Sequence, residues 1–356
     1  MAFAFGGSNP SPSTIFMIDK FKQLVENSQR IVVTSHISPD PDAVSSLLLM
    51  AETLKTNYPD KQIKSVLEEE PARLDFIYGY ESLEFAPIKD TLGRLKPDLF
   101  ILLDGNNYER CSRHDGQDVR DYIESNNVKT VVIDHHEPEG KDETDVYINP
   151  GSAACVQDVY ELCFDQLSLN QPKDASATTM TGLYADSGGF VYIKDGSHKR
   201  LFDLVERLIS GGANIEQIKN SLSQYTSDDL RCLNELTNNV SGQDEFSYSF
   251  LSDEFVDEWL AKGLTYPEMQ LGTGIFLDEF IRNIDGRQWG FIVYKNRLQG
   301  EKMYSVSLRS VGGVKDVAAI ASSLGGGGHK PAAGAKFEAE SVQDAIKKVK
   351  ASIAAS

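Results

Sequence analysis

Three short apolar runs constrain this chain most: Arg30–Thr34 around Ile31-Val32-Val33, Asp98–Leu103 (DLFILL) and Val128–Ile133 (VKTVVI). None alternates apolar with polar residues, so each reads as a strand covered on both faces. Helical stretches flank the runs, and that combination predicts a parallel, doubly wound α/β sheet. Each run gives way abruptly to residues with metal-ligand chemistry. His36, Asp40 and Asp42 follow the first, Asp104 the second, and Asp134-His135-His136 the third. Open parallel sheets bind ligands beyond the carboxyl ends of their strands, where the strand order reverses. Parallel strands bring those ends to one edge, so the convergence of the three endings points to a site more strongly than any one of them.

The first ending is the densest. Thr34–Ser46 reads TSHISPDPDAVSS and leads into a helix over Ala43–Tyr58. One imidazole and two carboxylates within seven residues suit a divalent cation of intermediate hardness. Taken alone, the same aspartates are equally well explained as helix caps in a proline-rich turn. Asp186, in YADSGGF at the end of a helix over Ala175–Ala185, is a further candidate ligand, although an aspartate at a helix end is commonly only that.

With 356 residues, two domains are expected. A tail over 1–14, a first domain over 15–195, a helical connector over 196–240 and a smaller α+β domain over 241–356 fit the pattern. In the last, Phe246–Leu251, Gln288–Tyr294 and Met303–Leu308 read as strands, and period two puts Arg309 on a polar face with Ser305 and Ser307. A helix over Val314–Leu324 then leads into Gly325-Gly326-Gly327-Gly328-His329-Lys330. Such a glycine run lets backbone N–H groups approach an anion closely. The net charge of −18 excludes generic binding of long duplexes through a basic surface, but not a short anionic substrate held locally. The start lacks the basic and apolar regions of a signal peptide, and no run reaches membrane-spanning length, so a cytoplasmic protein without a membrane partner is expected. The cysteines Cys111, Cys155, Cys163 and Cys232 form no C-x-x-C pair and read as reduced thiols. His114 and His198 sit in polar segments and read as solvent-exposed.

In order, HISPDPDA, the aspartate of LLDG, DHH, the aspartate of YADSGGF, SLRS and GGGGHKPAAGA resemble the motifs of the DHH phosphoesterases, with the C-terminal domain resembling their associated Gly-Gly-Gly-His domain. The likeness runs from about Ile31 to Phe337. Length and layout resemble the short members that act on oligoribonucleotides and phosphoadenosine phosphate. Three positions depart from the usual pattern: Pro41 and Ser45 replace glycines, and Ser187 replaces a threonine. The resemblance implies two Mn²⁺, one on His36, Asp40 and Asp104, the other on Asp42, Asp104, His135 and Asp186, with Asp104 bridging. It implies that Asp134 orients the site from behind the ligands and that His136 meets the scissile phosphate. Arg309, His329 and the backbone of Gly326, Gly327 and Gly328 would grip a substrate phosphate, with substrate in a cleft between the domains. The expected activity is hydrolysis of short RNA or DNA oligonucleotides, about two to five residues long, to 5′-mononucleotides. Hydrolysis of pApA or cyclic di-AMP, a 3′-phosphoadenosine 5′-phosphate phosphatase, and an inactive nucleotide-binding regulator are the alternatives. A homodimer stays open.

Overall fold

The order of six parallel strands is what puts the candidate ligands together. In the computed structural model, which describes residues 12–113, 115–136, 143–193, 198–243, 245–298 and 300–355, these strands are β1 (Arg30–Ser35), β2 (Gln62–Leu67), β3 (Leu83–Phe85), β4 (Leu99–Leu103), β5 (Lys129–Ile133) and β6 (Val146–Ile148). Their order is β3-β2-β1-β4-β5-β6, every pairing is parallel, and the direction of winding reverses between β1 and β4. Register aligns the three endings. Ser35 pairs with Leu103 and Leu103 with Ile133, so His36, Asp104 and Asp134 each follow at the same level.

The apolar runs are continuous because the two sheet faces bury alternate residues. Ile31, Val33, Leu99, Ile101, Leu103, Val131 and Ile133 pack under the helices Pro12–Asn27, Pro41–Asn57, Cys155–Tyr160, Ala175–Asp186 and His198–Ser210. Val32, Phe100, Leu102 and Val132 face the opposite layer, with the helices Ile88–Leu95 and Gly116–Ser125. At roughly 1.5–3 kcal/mol for each fully buried large aliphatic side chain, this double burial holds the strand ends in place. Reversing one strand's register would expose none of these residues to water but would move its terminal ligand off the edge.

The chain divides into two compact units, Met1–Gln224 and Tyr225–Ser356. The stretch expected as a connector is shared between them. Helices His198–Ser210 and Ile215–Leu222 bury Leu201, Leu204, Leu208 and Ile218 in the first core, whereas Ser227–Asn238 buries Cys232 and Leu236 in the second unit. Residues 1–11 of the expected tail lie outside the described residues, as does His114, and a helix already runs from Pro12.

The second unit is built on a six-stranded sheet, order β11-β12-β10-β9-β8-β7. Its strands are β7 (Ser241–Gln243), β8 (Phe246–Phe250), β9 (Trp289–Lys295), β10 (Met303–Ser310), β11 (Gly327–His329) and β12 (Ala332–Glu338). Only the β8–β9 pairing is parallel. The helix expected over Val314–Leu324 is shorter, Val317–Ser323, because the Asp316 side chain caps it by accepting from the amides of Ala318 and Ala319. Among the described residues, no helix is long and apolar enough to cross a membrane. All four cysteines are buried free thiols, and His198 is exposed.

Candidate metal centre

Asp104 is the hub of the site. It leaves β4 in the left-handed conformation, φ 54°, which an aspartate tolerates better than most residues. Its carboxylate is 2 % exposed. Oδ2 lies 3.3 Å from His36 Nε2, and Oδ1 lies 3.5 Å from both His135 Nε2 and His136 Nδ1. One carboxylate thus presents an oxygen to each of two groups of donors, which is what a bridging ligand must do.

The first group is His36, Asp40 and Asp104, and the second contains Asp42, His135 and Asp186. Within each, donor atoms lie within 4.8 Å of one another. His36 Nδ1 donates to the carbonyl of Ile37 at 2.7 Å, which aims Nε2 at Asp104, where a proton or a cation can lie between the two. Asp40 fills both roles open to it from the sequence. Its Oδ1 caps the helix Pro41–Asn57 by accepting from the amides of Asp42 and Ala43, each at 3.0 Å, and its carboxylate still belongs to the first group. Pro41 sits in the first turn of that helix, where a missing N–H costs nothing.

Asp42 is held from below. The amides of Cys155 and Val156 donate to its Oδ2 and Oδ1 at 2.7 and 3.0 Å, and Ser46 Oγ adds a 3.3 Å contact. His135 Nε2 is 4.0 Å from Asp42 Oδ2 and 3.6 Å from Asp186 Oδ2. Asp134, fully buried, accepts from His136 twice, at the ring Nδ1 (2.8 Å) and the backbone N–H (3.3 Å).

Charge follows from this packing. Burial, and then the neighbouring charges of Asp104, Asp186 and Asp40, push the Asp42 carboxyl well above its ordinary range. Burial acts the same way on Asp104, but the hydrogen bond from His36 and the charges of His135, His36 and His136 outweigh it and hold that carboxyl low. The Asp134 hydrogen bond raises the pKa of His136. Asp104 Oδ1 and Asp134 Oδ2 are buried and accept no hydrogen bond among the described residues. A cluster of carboxylates and imidazoles with a buried, unsatisfied acceptor at its hub fits a divalent cation.

Three supports were not visible in the sequence. Asn149 Nδ2 donates to the backbone carbonyl of His136 at 2.5 Å and so fixes the loop after β5. Cys155 acts through its amide rather than its thiol, and nothing in its local sequence marks it. Gly182, inside the helix that carries Asp186, is the third. A Cβ built there would meet Asp42 Oδ1 at 2.9 Å, Ser45 Cβ at 3.0 Å and Val156 Cγ1 at 3.0 Å. The room a side chain at 182 would need is taken by Ser45 and the gripped carboxylate. Gly182→Ala should therefore displace Asp42 and weaken divalent-cation binding by about 10–100-fold, the range typical of supports behind metal ligands. Metal titration against wild type checks this, and unchanged affinity would show that Asp42 has slack.

The residues carried by the second unit are brought to one level of its sheet. Arg309 on β10 and His329 on β11 both pair with Ala332 of the strand between them. Arg309 Nε donates to Asp278 Oδ1 at 3.1 Å. The glycine run has a packing role that the sequence did not disclose. A Cβ at Gly326 would come within 2.2 Å of the Gly334 carbonyl oxygen, and one at Gly328 within 2.6 Å of Ala333 Cα. Gly325 and Gly327 have open space around them, with nothing within 4 Å.

Comparison with known proteins agrees with this architecture. The DHH family, N-terminal domain, matches residues 30–185, and the DHHA1 domain matches residues 270–355. The chain is similar to the bifunctional oligoribonuclease and PAP phosphatase NrnA of Mycoplasma pneumoniae, 25% identical over 333 residues covering 91% of this chain and 94% of that protein. It is also similar to the protein of that name from Bacillus subtilis, 24% identical over 311 residues, 86% and 89% of the two chains. Among solved structures, an exopolyphosphatase-related protein from Bacteroides fragilis superposes with a TM-score of 0.78 at 22% identity, over 96% of each chain, a likeness of fold. The DHH sequence at the end of β5, the ligand groups around Asp104 and the DHHA1 match that follows support a hydrolytic DHH phosphoesterase of the NrnA type.

Proposed function

We propose that the protein hydrolyses short oligonucleotides and small nucleotides to 5′-mononucleotides with two Mn²⁺. The observation that carries this reading is Asp104, buried, with one oxygen 3.3 Å from His36 and the other 3.5 Å from His135. His36, Asp40 and Asp104 would hold one ion, and Asp42, Asp104, His135 and Asp186 the other. When bound, such ions supply Lewis acidity and water activation for attack on a phosphoester. The chain's own residues do the rest. Asp134 holds the proton on His136 Nδ1, so the ring is oriented and its Nε2 is left to meet a phosphate or leaving-group oxygen. The amides of Cys155 and Val156 keep Asp42 from rotating away. Arg309, His329 and the backbone of Gly326, Gly327 and Gly328 would grip a second phosphate, which favours substrates carrying one.

The names of the curated relatives, which join oligoribonuclease and PAP phosphatase, support both substrate types for this chain. The test is a product assay with Mn²⁺ on labelled RNA of about two to ten residues, pApA, cyclic di-AMP, 3′-phosphoadenosine 5′-phosphate and pyrophosphate. A 5′-phosphorylated dinucleotide should be turned over fastest, since one phosphate pocket plus one reacting centre reaches about two to five residues. A chelator should abolish the activity. Faster cleavage of long RNA than of dinucleotides would overturn the length preference.

A further inference from the structure

Next to the ligands, on the loop that leaves β4, lies an arginine that the protein itself does not use. Among the described residues of the first unit, Arg30, Arg73, Arg94, Arg113, Arg120, Arg200 and Arg207 each bond a carboxylate or a carbonyl. The exposed side chain of Arg110 makes no hydrogen bond or ion pair among the described residues. In a chain with a net charge of −18 such an unpaired guanidinium stands out.

The main chain of Arg110, by contrast, is tightly fixed. Its N–H donates to the Asn107 carbonyl and to Asn107 Oδ1, at 3.2 and 3.1 Å. Its own carbonyl accepts from the amide of Ile37 at 2.7 Å. The Ile37 carbonyl in turn takes the proton of His36 Nδ1. A single peptide unit thus ties the ring of a candidate ligand to the backbone of Arg110. Gly105 lies between the two residues: a Cβ built on it would be 3.8 Å from both His36 Cβ and Arg110 Cβ.

We propose that Arg110 is a substrate-binding residue of the catalytic unit, whose guanidinium takes the non-bridging oxygens of the reacting phosphate. A planar, permanently charged fork matches two phosphate oxygens in a way an ammonium does not. Its fixed backbone makes the position reproducible, and its unengaged side chain means that no internal ion pair must break when substrate arrives. The role rests on the phosphoester reading of the site and adds the group that receives the reacting phosphate within the first unit, distinct from Arg309 in the second. Because Arg110 would hold the reacting phosphate rather than a distal one, it should matter equally for a dinucleotide and for a generic diester.

The experiment compares wild type, Arg110→Gln and Arg110→Lys in full-length, Mn²⁺-loaded protein. Binding of AMP by calorimetry should weaken by about 10–100-fold in Arg110→Gln. The kcat/KM for a 5′-phosphorylated dinucleotide and for bis(p-nitrophenyl) phosphate should fall together, by about 100-fold, as for loss of one preorganised donor. Arg110→Lys should recover only part of each, while bound Mn²⁺ and Tm stay at wild-type values. Unchanged AMP affinity in Arg110→Gln, or a wild type that binds no AMP, would overturn the proposal. So would a matching fall in bound Mn²⁺ or Tm, which would make Arg110 a support of the fold. If wild type cleaves the generic diester but no oligonucleotide, the oligonucleotide reading fails on its own, and AMP binding still decides the role of Arg110.

Discussion

Asp104→Asn should lower kcat/KM by at least about a thousandfold and reduce the divalent metal bound per chain. Removing a single preorganised donor from an active site typically costs 10²–10³ in rate, and this residue faces both ligand groups at once. Oδ2 meets His36 and Oδ1 meets His135, so an amide, with one oxygen fewer and no charge, cannot serve both. Asp134→Asn provides the contrast. It keeps all the ligands and disturbs only the orientation of His136, so its cost should stay within about 10–100-fold. Stability separates this from unfolding. Asp104 pushes the Asp42 carboxyl upward but is itself held low by its histidine neighbours, so the substitution removes a repulsion and an attraction together. Tm measured in chelator beside the kinetics shows that the variant is folded. Metal content by elemental analysis, steady-state kinetics and calorimetry together check the prediction. Near-wild-type turnover with full metal occupancy would remove Asp104 from the bridging position.

The parts of the fold that were legible in the sequence are those with a strong local signal. Runs such as DLFILL are apolar at consecutive positions and short, as a strand buried on both faces is. Its residues do divide between two cores, with Leu99, Ile101 and Leu103 on one side and Phe100 and Leu102 on the other. Several candidate ligands were marked for the same reason, since His36, Asp104 and Asp134-His135-His136 each follow such a strand directly. The short strands β3, β7 and β11, three residues each, were not. They are made by pairing with neighbours rather than by their own composition, and β11 is largely glycine. The glycines at 326 and 328 looked like anion-binding backbone. Their close approach to Gly334 and Ala333 shows a second demand on the same residues, one set by a partner strand that sequence spacing does not reveal. Least legible were contacts between distant segments. GSHKR reads as an exposed polar stretch, and His198 is indeed exposed, but Arg200 two residues later is largely buried against carboxylates some forty positions earlier.

That cluster leads to the second large effect. Arg200→Met should destabilise the protein by about 3–5 kcal/mol, the cost of stranding buried charges when one partner is removed. Arg200 Nη2 donates to Asp158 Oδ1 at 3.0 Å, and its Nε and Nη2 hold both oxygens of Glu161 at 2.7–3.0 Å. Ser152 Oγ satisfies the other Asp158 oxygen at 2.6 Å, and Gln157 Nε2 donates to Glu161 Oε1 at 2.9 Å. Methionine fills much of the same volume, so the loss reflects charge rather than a cavity. The loss should also depend on pH. Burial raises Asp158 to about 8 even with Arg200 lowering it, and without the guanidinium that carboxyl rises further. Between the unfolded value near 3.8 and the folded value, the native state then holds a proton that the unfolded chain has released, so stability falls as pH rises. The deficit of Arg200→Met relative to wild type should be level from pH 5 to about 8 and grow above that, where Asp158 has ionised in wild type but not in the variant, as read by urea midpoints from pH 5 to about 9.5. A deficit independent of pH would assign Arg200 to packing alone. The consequence reaches the metal centre, because the helix Cys155–Tyr160 that bears Asp158 also supplies the two amides gripping Asp42. Loosening its far end frees the very residues that set Asp42 in place, so divalent-metal affinity of the folded variant should weaken along with its stability, without any change to a candidate ligand.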